Sequence, residues 1–448
     1  MPAAQRPFEV TNRSLLTLAI PMTLAYLSTP ILGVVDTAVI GQLGSAALVG
    51  GIAVGGIIFD LLFTTFNFLR SGTTGLTAQA MGAGDGKELR AILLRALIVA
   101  FVAGFAMFAL QWPIIETGIF LLGGSEEVQA ATRTYFSWRI LGTAFALSNY
   151  AILGWYLGLG RAGVGLVLQS VLNGANIALS ILFVMGFGWG VSGVAIGTVI
   201  AEASTTVLGL LLVWRHLRGA RLPSRQRIFN RKRFVRMLGV NRDIMIRSFT
   251  VLFAFAFFTS RGAAQGDVML AANSILQKFF MVGGYFLDGF ATAAEQIVGR
   301  SLGARYRPAF DRAVRLTMTW GFALAGIATV AFWIGGPWLI DLMTTSETVR
   351  ATARIYMIWA VLTPLLGVMA FQMDGVFIGA TWSRDMRNMM VLSLVLYLVA
   401  YVVLFPLMGN HGLWLALEIF LGARGISLWA MCGVRAREAF GAPEHRHG

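Results

Sequence analysis

One carboxylate stands inside a long apolar stretch near the amino terminus. Asp36 lies in the run Leu32–Gly41, whose other residues are all glycine, threonine or aliphatic. An ionisable side chain at membrane depth costs at least about 2.5 kcal/mol, so it is retained where it faces protein, water or an ion. Asp36 is therefore the first candidate for binding a proton or a cation.

Oxygen-bearing side chains recur at helical spacing in two later apolar segments: Gln169, Asn173, Asn176 and Ser180 in the first, and Thr198 and Glu202 in the second. Residues three or four positions apart share one face of a helix. Such a stripe can join helices through hydrogen bonds, or it can line a polar cavity. Together with a carboxylate, these oxygens could hold either a proton or a hard cation such as Na⁺.

Other charges in apolar segments rank second. Asp60 and Asp374 are further candidates for proton or cation binding, and Lys278 could pair with an acid or face a substrate. Three more acids lie in or near these segments: Asp288, Glu295 and Glu418. All four histidines fall in loops or the tail, so no HExxH-type metal site is expected.

The composition places these residues in a membrane. Hydrophobic residues make up 57% of the 448 residues, charged residues only 12%, and the mean hydropathy is +0.73. Soluble domains carry about 25% charged residues. The residues before the first apolar run have no small-residue cleavage site, so that run is expected to stay as a helix. The single cysteine, Cys432, excludes an intramolecular disulfide.

Twelve apolar runs are long enough to cross about 30 Å of hydrocarbon. They lie at about 15–41, 46–70, 91–113, 133–158, 165–187, 191–214, 244–262, 268–290, 312–336, 354–379, 389–408 and 411–432. Residues 215–236, after the sixth run, hold nine Lys or Arg and no acid. The positive-inside rule then predicts that both termini and this linker are cytoplasmic. Topology thus explains the net charge of +14, and nucleic-acid binding is not expected.

The two halves of the chain align at one constant offset. Four pairs share it: Gly82 with Gly303, Tyr135 with Tyr356, Gly158 with Gly379, and Gly188 with Gly409. The sequence therefore predicts an all-α polytopic membrane protein with twelve transmembrane helices in two pseudo-symmetric six-helix lobes. The lobes are residues 1–214 and 241–448, joined by the basic linker 215–240. Parallel repeats of this kind are typical of transporters, and a duplicated membrane enzyme or scaffold is the alternative.

The polar cluster is not repeated in the second lobe. Four of its positions and their counterparts are Asp36 and Phe257, Asn173 and Leu394, Asn176 and Tyr397, and Thr198 and Ile419. The chemistry is therefore expected in the first lobe.

Two prolines, Pro21 and Pro30, precede Asp36 in the first span. Proline removes an internal hydrogen bond and can kink a helix, so this span could bend beside a titrating acid. A static kink is an equally good interpretation of the prolines alone.

At these residues the chain resembles the DinF-like branch of the MATE (multidrug and toxic compound extrusion) transporters. The matching runs are Leu32–Gly41, Leu69–Ala80, Gly197–Glu202, Asn241–Ser248, Leu287–Phe290 and Asp374–Ala380. They extend over nearly the whole chain.

The resemblance implies export of amphipathic, often cationic compounds in exchange for H⁺ or Na⁺. It places the family's first-helix acid on Asp36 and its bending proline on Pro21. It places the amino-lobe cation-site positions on Asn176, Ser180 and Thr198, with Asn173 and Asn149 nearby. Several members carry a second Asp where this chain has Ser180, so a proton on Asp36 is favoured over Na⁺ held by an Asp36 cluster.

The sequence therefore predicts a bacterial inner-membrane antiporter and not an enzyme. Its partners are the lipid bilayer and small-molecule drugs, it needs no cofactor beyond an ion gradient, and it is expected to be a monomer. Asp36, Asn173, Asn176, Ser180 and Thr198 form the predicted coupling site, with Pro21 as its hinge. Asn149, Glu202, Asp60 and Asp374 are secondary. A lipid-linked oligosaccharide flippase of the same superfamily is the alternative.

Overall fold

The computed structural model describes residues 6–41 and 45–441, except for the side chains of residues 30–38 and 40. Nearly all of this part of the chain is helical, and no strand occurs in it. Asp36 has a helical backbone, but its side chain lies outside the described residues. The contacts predicted for that carboxylate therefore stay a prediction.

Within the described ranges the α-helices are α1 Asn12–Gly41, α2 Ala46–Phe66, α3 Phe68–Gly82, α4 Gly86–Ala109, α5 Gln111–Leu122, α6 Glu126–Arg139, α7 Thr143–Gly158, α8 Ala162–Ile181, α9 Gly190–Leu217, α10 Arg225–Ile228, α11 Arg231–Ala263, α12 Asp267–Gly303, α13 Arg307–Met343, α14 Glu347–Ala380, α15 Ser383–Met408 and α16 Asn410–Phe440. A 3-10 turn, Ile140–Gly142, joins α6 to α7. A π-helical turn, Leu182–Gly186, follows α8.

In this part of the chain, ten helical segments are long and apolar enough to cross a membrane. They are Ala46–Gly82, Gly86–Ala109, Glu126–Gly158, Ala162–Gly186, Gly190–Leu217, Arg225–Ala263, Arg307–Met343, Glu347–Ala380, Ser383–Met408 and Asn410–Phe440. The first and eighth predicted spans coincide with α1 and α12, which have 30 and 37 residues. Asn273, Gln277 and Lys278 lower the mean hydropathy of α12. Each predicted span thus coincides with a helical segment.

Two regions expected to be loops contain helices. α5 follows the third span, and its exposed Trp112, Phe120 and Leu121 suit the membrane interface. In the linker, α10 and residues 231–240 of α11 are helical, because arginine and lysine are good helix formers. Arg227 and Arg233 bind Glu88 at the start of α4, which anchors the linker helices.

The chain divides into two compact units. The N-terminal unit contains Leu27–Thr77 and Asp85–Leu238, and the C-terminal unit contains Tyr26 and the residues before it, Ala78–Gly84, and Gly239 onward. α1 is therefore divided after Tyr26, and α3 after Thr77. The predicted lobes assign both helices whole to the first half, so the compact units differ from the sequence halves at these two helices.

The repeat is visible in equivalent helix contacts inside each unit. In the N-terminal unit, α7 packs on α3 through Gly154 and Gly158; in the C-terminal unit, α14 packs on α12 through Gly375 and Gly379. A Cβ at these glycines would collide with a backbone carbonyl of the other helix, at Arg70, Thr74, Ala291 and Glu295 respectively. The glycines and the carbonyls both correspond at the offset of the repeat, so the same small-residue packing occurs twice.

A reciprocal contact within the C-terminal unit follows the same offset. A Cβ on Gly82 would meet the carbonyl of Arg300, and a Cβ on Gly303 would meet the carbonyl of Gln79. The ends of α3 and α12 are therefore related by an approximate two-fold axis. Gly188 and Gly409 also correspond: both turn the chain with positive φ, +68° and +58°, a conformation that glycine adopts readily.

We expect Gly379→Ala to lower the free energy of unfolding by about 1–3 kcal/mol, because its methyl group would press on the backbone of α12 and not on a movable side chain. Gly422→Ala in α16 is the matched control, since no heavy atom lies within 4 Å of its Cβ position. Thermal unfolding in detergent checks the pair. Equal unfolding temperatures for the two variants would contradict the close helix contact.

Candidate functional site

Four of the predicted site residues form two hydrogen-bonded groups that lie one turn apart on α8 in the N-terminal unit. No hydrogen bond joins the two groups in the described chain, and together they make up the polar network. Asn176 on α8 donates from Nδ2 to Thr198 Oγ1 on α9 over 3.2 Å, and Ser180 Oγ donates to Asn176 Oδ1 over 3.2 Å. One turn earlier on α8, Asn173 Oδ1 accepts from Gln169 Nε2 over 3.1 Å. The stripe predicted from the spacing therefore faces a neighbouring helix, and Asn176 contacts Thr198, which is another residue of the predicted coupling site.

The group that contains Asn173 reaches α1. Asn173 Nδ2 donates to Ser28 Oγ over 2.7 Å. Ser28 lies eight residues, about two helical turns, before Asp36, so it shares a helix with the predicted coupling acid. Whether the Asp36 carboxylate joins the network lies outside the described residues.

The network is buried and uncharged. Asn173 and Asn176 are each 5% exposed, and Ser180 is fully buried. Within the described chain, no charged side chain forms a hydrogen bond with these three residues or with Thr198. Both amide oxygens already accept a hydrogen bond. The arrangement can therefore orient a nearby carboxyl through neutral dipoles, and it adds no negative charge with which to hold a cation.

Two secondary candidates belong to a different cluster. Glu202 forms a two-pronged ion pair with Arg139, with N–O distances of 2.6 and 2.8 Å, and both side chains are 8% exposed. Asn149 donates to the Glu202 carbonyl over 3.0 Å and accepts from Thr206 over 2.9 Å. No hydrogen bond joins either residue to Asn173 or Asn176 in the described chain, so this cluster is separate from the network.

Arg139 is a buried charge that was not predicted as a site residue. Its guanidinium lies over the rings of Phe59 and Phe63, 5.0 and 5.1 Å from their centroids, while it binds Glu202. Arg139 lies six residues inside the fourth predicted span, and a cation at membrane depth requires a partner. This position could have predicted a buried ion pair. Asp60 is exposed on α2, and no ion pair with it occurs in the described chain.

Asp374 is held by two arginines. Arg247 on α11 and Arg424 on α16 both bind its Oδ2, and Arg424 also donates to Oδ1 over 3.3 Å. The Asp374 side chain is 6% exposed and that of Arg424 is 5% exposed. Asp374 is therefore the centre of an ion cluster, which is a different environment from that expected of a proton site.

Pro21 lies in α1, five residues before the division between the two units. Its side chain is half-buried. The hinge role predicted for it remains a prediction, and the position is compatible with it.

Comparisons with known proteins agree with this architecture. The MatE family model matches residues 21–182 and 244–403, and the ends of the two matches correspond at the offset of the repeat. The chain is 38% identical to the DNA damage-inducible protein F, DinF, of Escherichia coli strain K12 over 422 residues, which cover 94% of this chain and 92% of that protein.

Two further similarities are weaker in sequence. The chain is 27% identical to the "Probable multidrug resistance protein NorM" of Caulobacter vibrioides, over 92% of this chain and 86% of that protein. A crystal structure of MATE in the bent conformation has a TM-score of 0.87 at 17% identity, covering 95% and 96% of the two chains. That likeness confirms the predicted all-α, twelve-helix fold.

Both the family match and the similarity to DinF extend over most of this chain. The protein is therefore a multi-pass membrane protein of the MatE family of multidrug and toxic compound efflux transporters, in its DinF-like branch, and not an enzyme.

Proposed function

We propose that the protein is a secondary active antiporter that exports amphipathic, cationic organic compounds in exchange for H⁺. In this proposal Asp36 takes up a proton on the outer side, α1 rearranges around Pro21, and the drug leaves the cavity of the first lobe. Deprotonation toward the cytoplasm resets the cycle. The protein needs an ion gradient and no bound cofactor.

The observation that supports H⁺ as the coupling ion is the absence of charge in the polar network beside α1. Asn173 binds Ser28 on the helix of Asp36, and Asn176, Ser180 and Thr198 add only neutral dipoles. A second carboxylate would add negative charge to a Na⁺ site, and none is present among these residues, whereas a proton needs only a single carboxyl. The network therefore favours H⁺ over Na⁺ as the coupling ion.

The division of α1 supports a role for its bending. Residues up to Tyr26 belong to one compact unit and residues from Leu27 to the other. Proline lacks the N–H that would bond to the preceding turn, so Pro21 and Pro30 are the places where this helix bends most easily. In this proposal, proton binding in the second half of α1 changes the bend of that helix.

The relatives and the charge pattern support the proposed substrate class and location. The Caulobacter relative is named for multidrug resistance, which supports drugs as substrates. The basic residues of the linker support cytoplasmic termini in a bacterial inner membrane. We propose a monomer with no nucleic-acid partner.

The flippase alternative requires free cations at membrane depth for a pyrophosphate group. Of the cations inside predicted spans, Arg139, Arg247 and Arg424 are each bound by Glu202 or Asp374, whereas Lys278 has no ion pair in the described chain. The three paired arginines favour an exporter of cations.

We expect Asp36→Asn to abolish uphill drug transport, because an amide cannot carry the exchanged proton. The measurement is uptake of an amphipathic cation into proteoliposomes that are acidic inside, with drug-driven proton movement recorded in parallel. Asp267→Asn, the same change at the exposed start of α12, is the matched control and should transport normally.

Two outcomes would refute this assignment. One is Asp36→Asn that still concentrates drug against its gradient. The other is wild-type transport driven by a Na⁺ gradient when no pH gradient is present.

A further inference from the structure

The C-terminal unit contains a second buried carboxyl, which the proposed cycle does not use. Glu418 on α16 is 4% exposed, and its helix neighbours Leu417 and Leu421 are each 1% exposed. It lies beside the large hydrophobic core of this unit, which includes Trp414 and Phe420. A carboxylate buried among apolar groups is strongly disfavoured unless it is paired, so its partners decide its form.

The hydrogen bonds around Glu418 fit a protonated acid. Its Oε1 lies 2.5 Å from Thr363 Oγ1 on α14, and the same hydroxyl lies 2.7 Å from the carbonyl of Trp359. A hydroxyl has one hydrogen to donate. When Thr363 donates to the Trp359 carbonyl, as threonines in helices often do, its oxygen accepts a hydrogen from Glu418. Glu418 Oε2 is buried and has no partner in the described chain.

α16 packs mainly on α14 and α15, and Trp414, one turn before Glu418, also contacts Phe258 of α11 and Asn273 of α12. In the described chain none of these helices forms an ion pair with Glu418. α14 presents the hydroxyl of Thr363. α15 presents Tyr397, which packs on Phe420 at a ring distance of 5.8 Å and whose buried hydroxyl also has no partner in the described chain. No ion pair between Glu418 and Lys, Arg or His occurs there, and no neighbouring charge acts on its carboxyl.

The other titratable groups nearest along these helices have partners of their own. Arg424, six residues after Glu418, is bound by Asp374 of α14. His411, seven residues before it, accepts a hydrogen bond from Trp359 Nε1 over 2.9 Å. Removing a proton from Glu418 in this state would therefore leave an uncompensated negative charge in the apolar core.

The internal repeat places Glu418 where the first half has its polar network. At the offset that relates Gly82 to Gly303, Glu418 corresponds to Gly197, which precedes Thr198. A Cβ on Gly197 would lie 3.2 Å from the backbone nitrogen of Ser180, so this position adjoins the network. The second half therefore does contain an acid, at the position that corresponds to Gly197. The comparison of Asp36 with Phe257 does not detect it.

A proline in α14 directly follows the threonine that contacts this acid. Pro364 follows Thr363 and has no N–H to bond the carbonyl of Ala360, so α14 can bend there. Gly283 of α12 leaves room, because a Cβ at that position would come within 3.1 Å of the proline ring. A bend at Pro364 would move Thr363 relative to Glu418.

We propose that Glu418 is a second proton-binding site of the transporter, which holds its proton while Thr363 contacts it and releases it when α14 bends at Pro364. The O–H bond of the carboxyl breaks, the proton passes to water that enters, and a hydrated carboxylate remains. This inference rests on the proposed proton coupling, and it adds a carboxyl in the C-terminal unit to Asp36 in α1.

The first test counts protons and uses tetraphenylphosphonium as the amphipathic cation. In weakly buffered detergent solution, wild type should release protons from both carboxyls when this cation binds, by linkage. Glu418→Gln should release about half as many, and Asp36→Asn should retain the remainder from Glu418. Unchanged release by Glu418→Gln, with release reduced by Asp36→Asn, would overturn the second site and leave the proposed function intact.

The second test needs no transport and separates the two proposals further. The infrared spectrum at neutral pH should contain a carbonyl band of a protonated carboxyl, which Glu418→Gln removes and Thr363→Val shifts, whatever Asp36→Asn does to transport. If this band is the same in wild type and Glu418→Gln, the buried acid is not protonated and the inference fails. If Asp36→Asn still couples transport, the proposed function fails and the band still reports on Glu418.

Discussion

Asp374→Ala is expected to lower the free energy of unfolding by about 3–5 kcal/mol, because it strands two arginines that no longer have a counter-charge. The side chain of Arg424 is 5% exposed and that of Arg247 is 17% exposed, so neither can turn fully to water. Thermal unfolding of the purified protein in detergent measures the loss.

A double variant identifies the cause. Asp374→Ala combined with Arg424→Leu removes the more deeply buried cation, and it should recover a large part of the stability, since an apolar side chain is well tolerated there. Asp374→Asn should also destabilise, but it should leave the pH dependence of drug binding unchanged. If Asp374→Asn removed that pH dependence while the protein stayed fully stable, Asp374 would be a proton site and the ion cluster would be the wrong interpretation.

Arg139→Met is expected to cause a loss of similar size, about 3–5 kcal/mol, because it leaves the Glu202 carboxylate buried and unpaired. Both side chains are 8% exposed, and Arg139 also loses its contacts with the rings of Phe59 and Phe63. The measurement is again the unfolding temperature in detergent, with drug transport recorded for the folded fraction.

The matched variant is Arg139→Met with Glu202→Leu. Replacing a whole buried ion pair with apolar side chains is often neutral or stabilising, so this double variant should unfold near the wild-type temperature. It should also transport drug if the pair only supports the fold. A double variant that is as unstable as Arg139→Met would show that the ring contacts, and not the stranded charge, dominate.

The helices and the repeat could be predicted because they depend on local patterns. Apolar runs of membrane length marked each span, and the offset between the halves appears again in the glycine contacts of α7 with α3 and of α14 with α12. The stripe of Asn173, Asn176 and Ser180 was predictable for the same reason: its spacing follows one helix face. Thr198 was placed with this stripe by the family resemblance and not by its spacing.

Charge partners could not be predicted, because they depend on which helix faces meet. Glu202 binds a residue 63 positions away, and Asp374 binds residues 127 and 50 positions away. The pairing of Arg139 was not predicted, because basic residues in the sequence indicate topology more directly than they indicate partners. Glu418 was noted in the sequence, but its contact with Thr363 beside Pro364 is visible only in the structure.

The division of α1 and α3 between the compact units has a consequence for the synthesis of the protein. The residues of α1 up to Tyr26, and Ala78–Gly84, belong to a unit whose remaining residues start at Gly239. When the first six spans have left the ribosome, these two pieces still lack the helices on which they pack. The Gly82 contact with Arg300, for example, can form only after α12 has been translated. The amino-terminal half alone is thus an unfinished intermediate, and a gene cut at the linker would yield two fragments that each need the other to complete their packing.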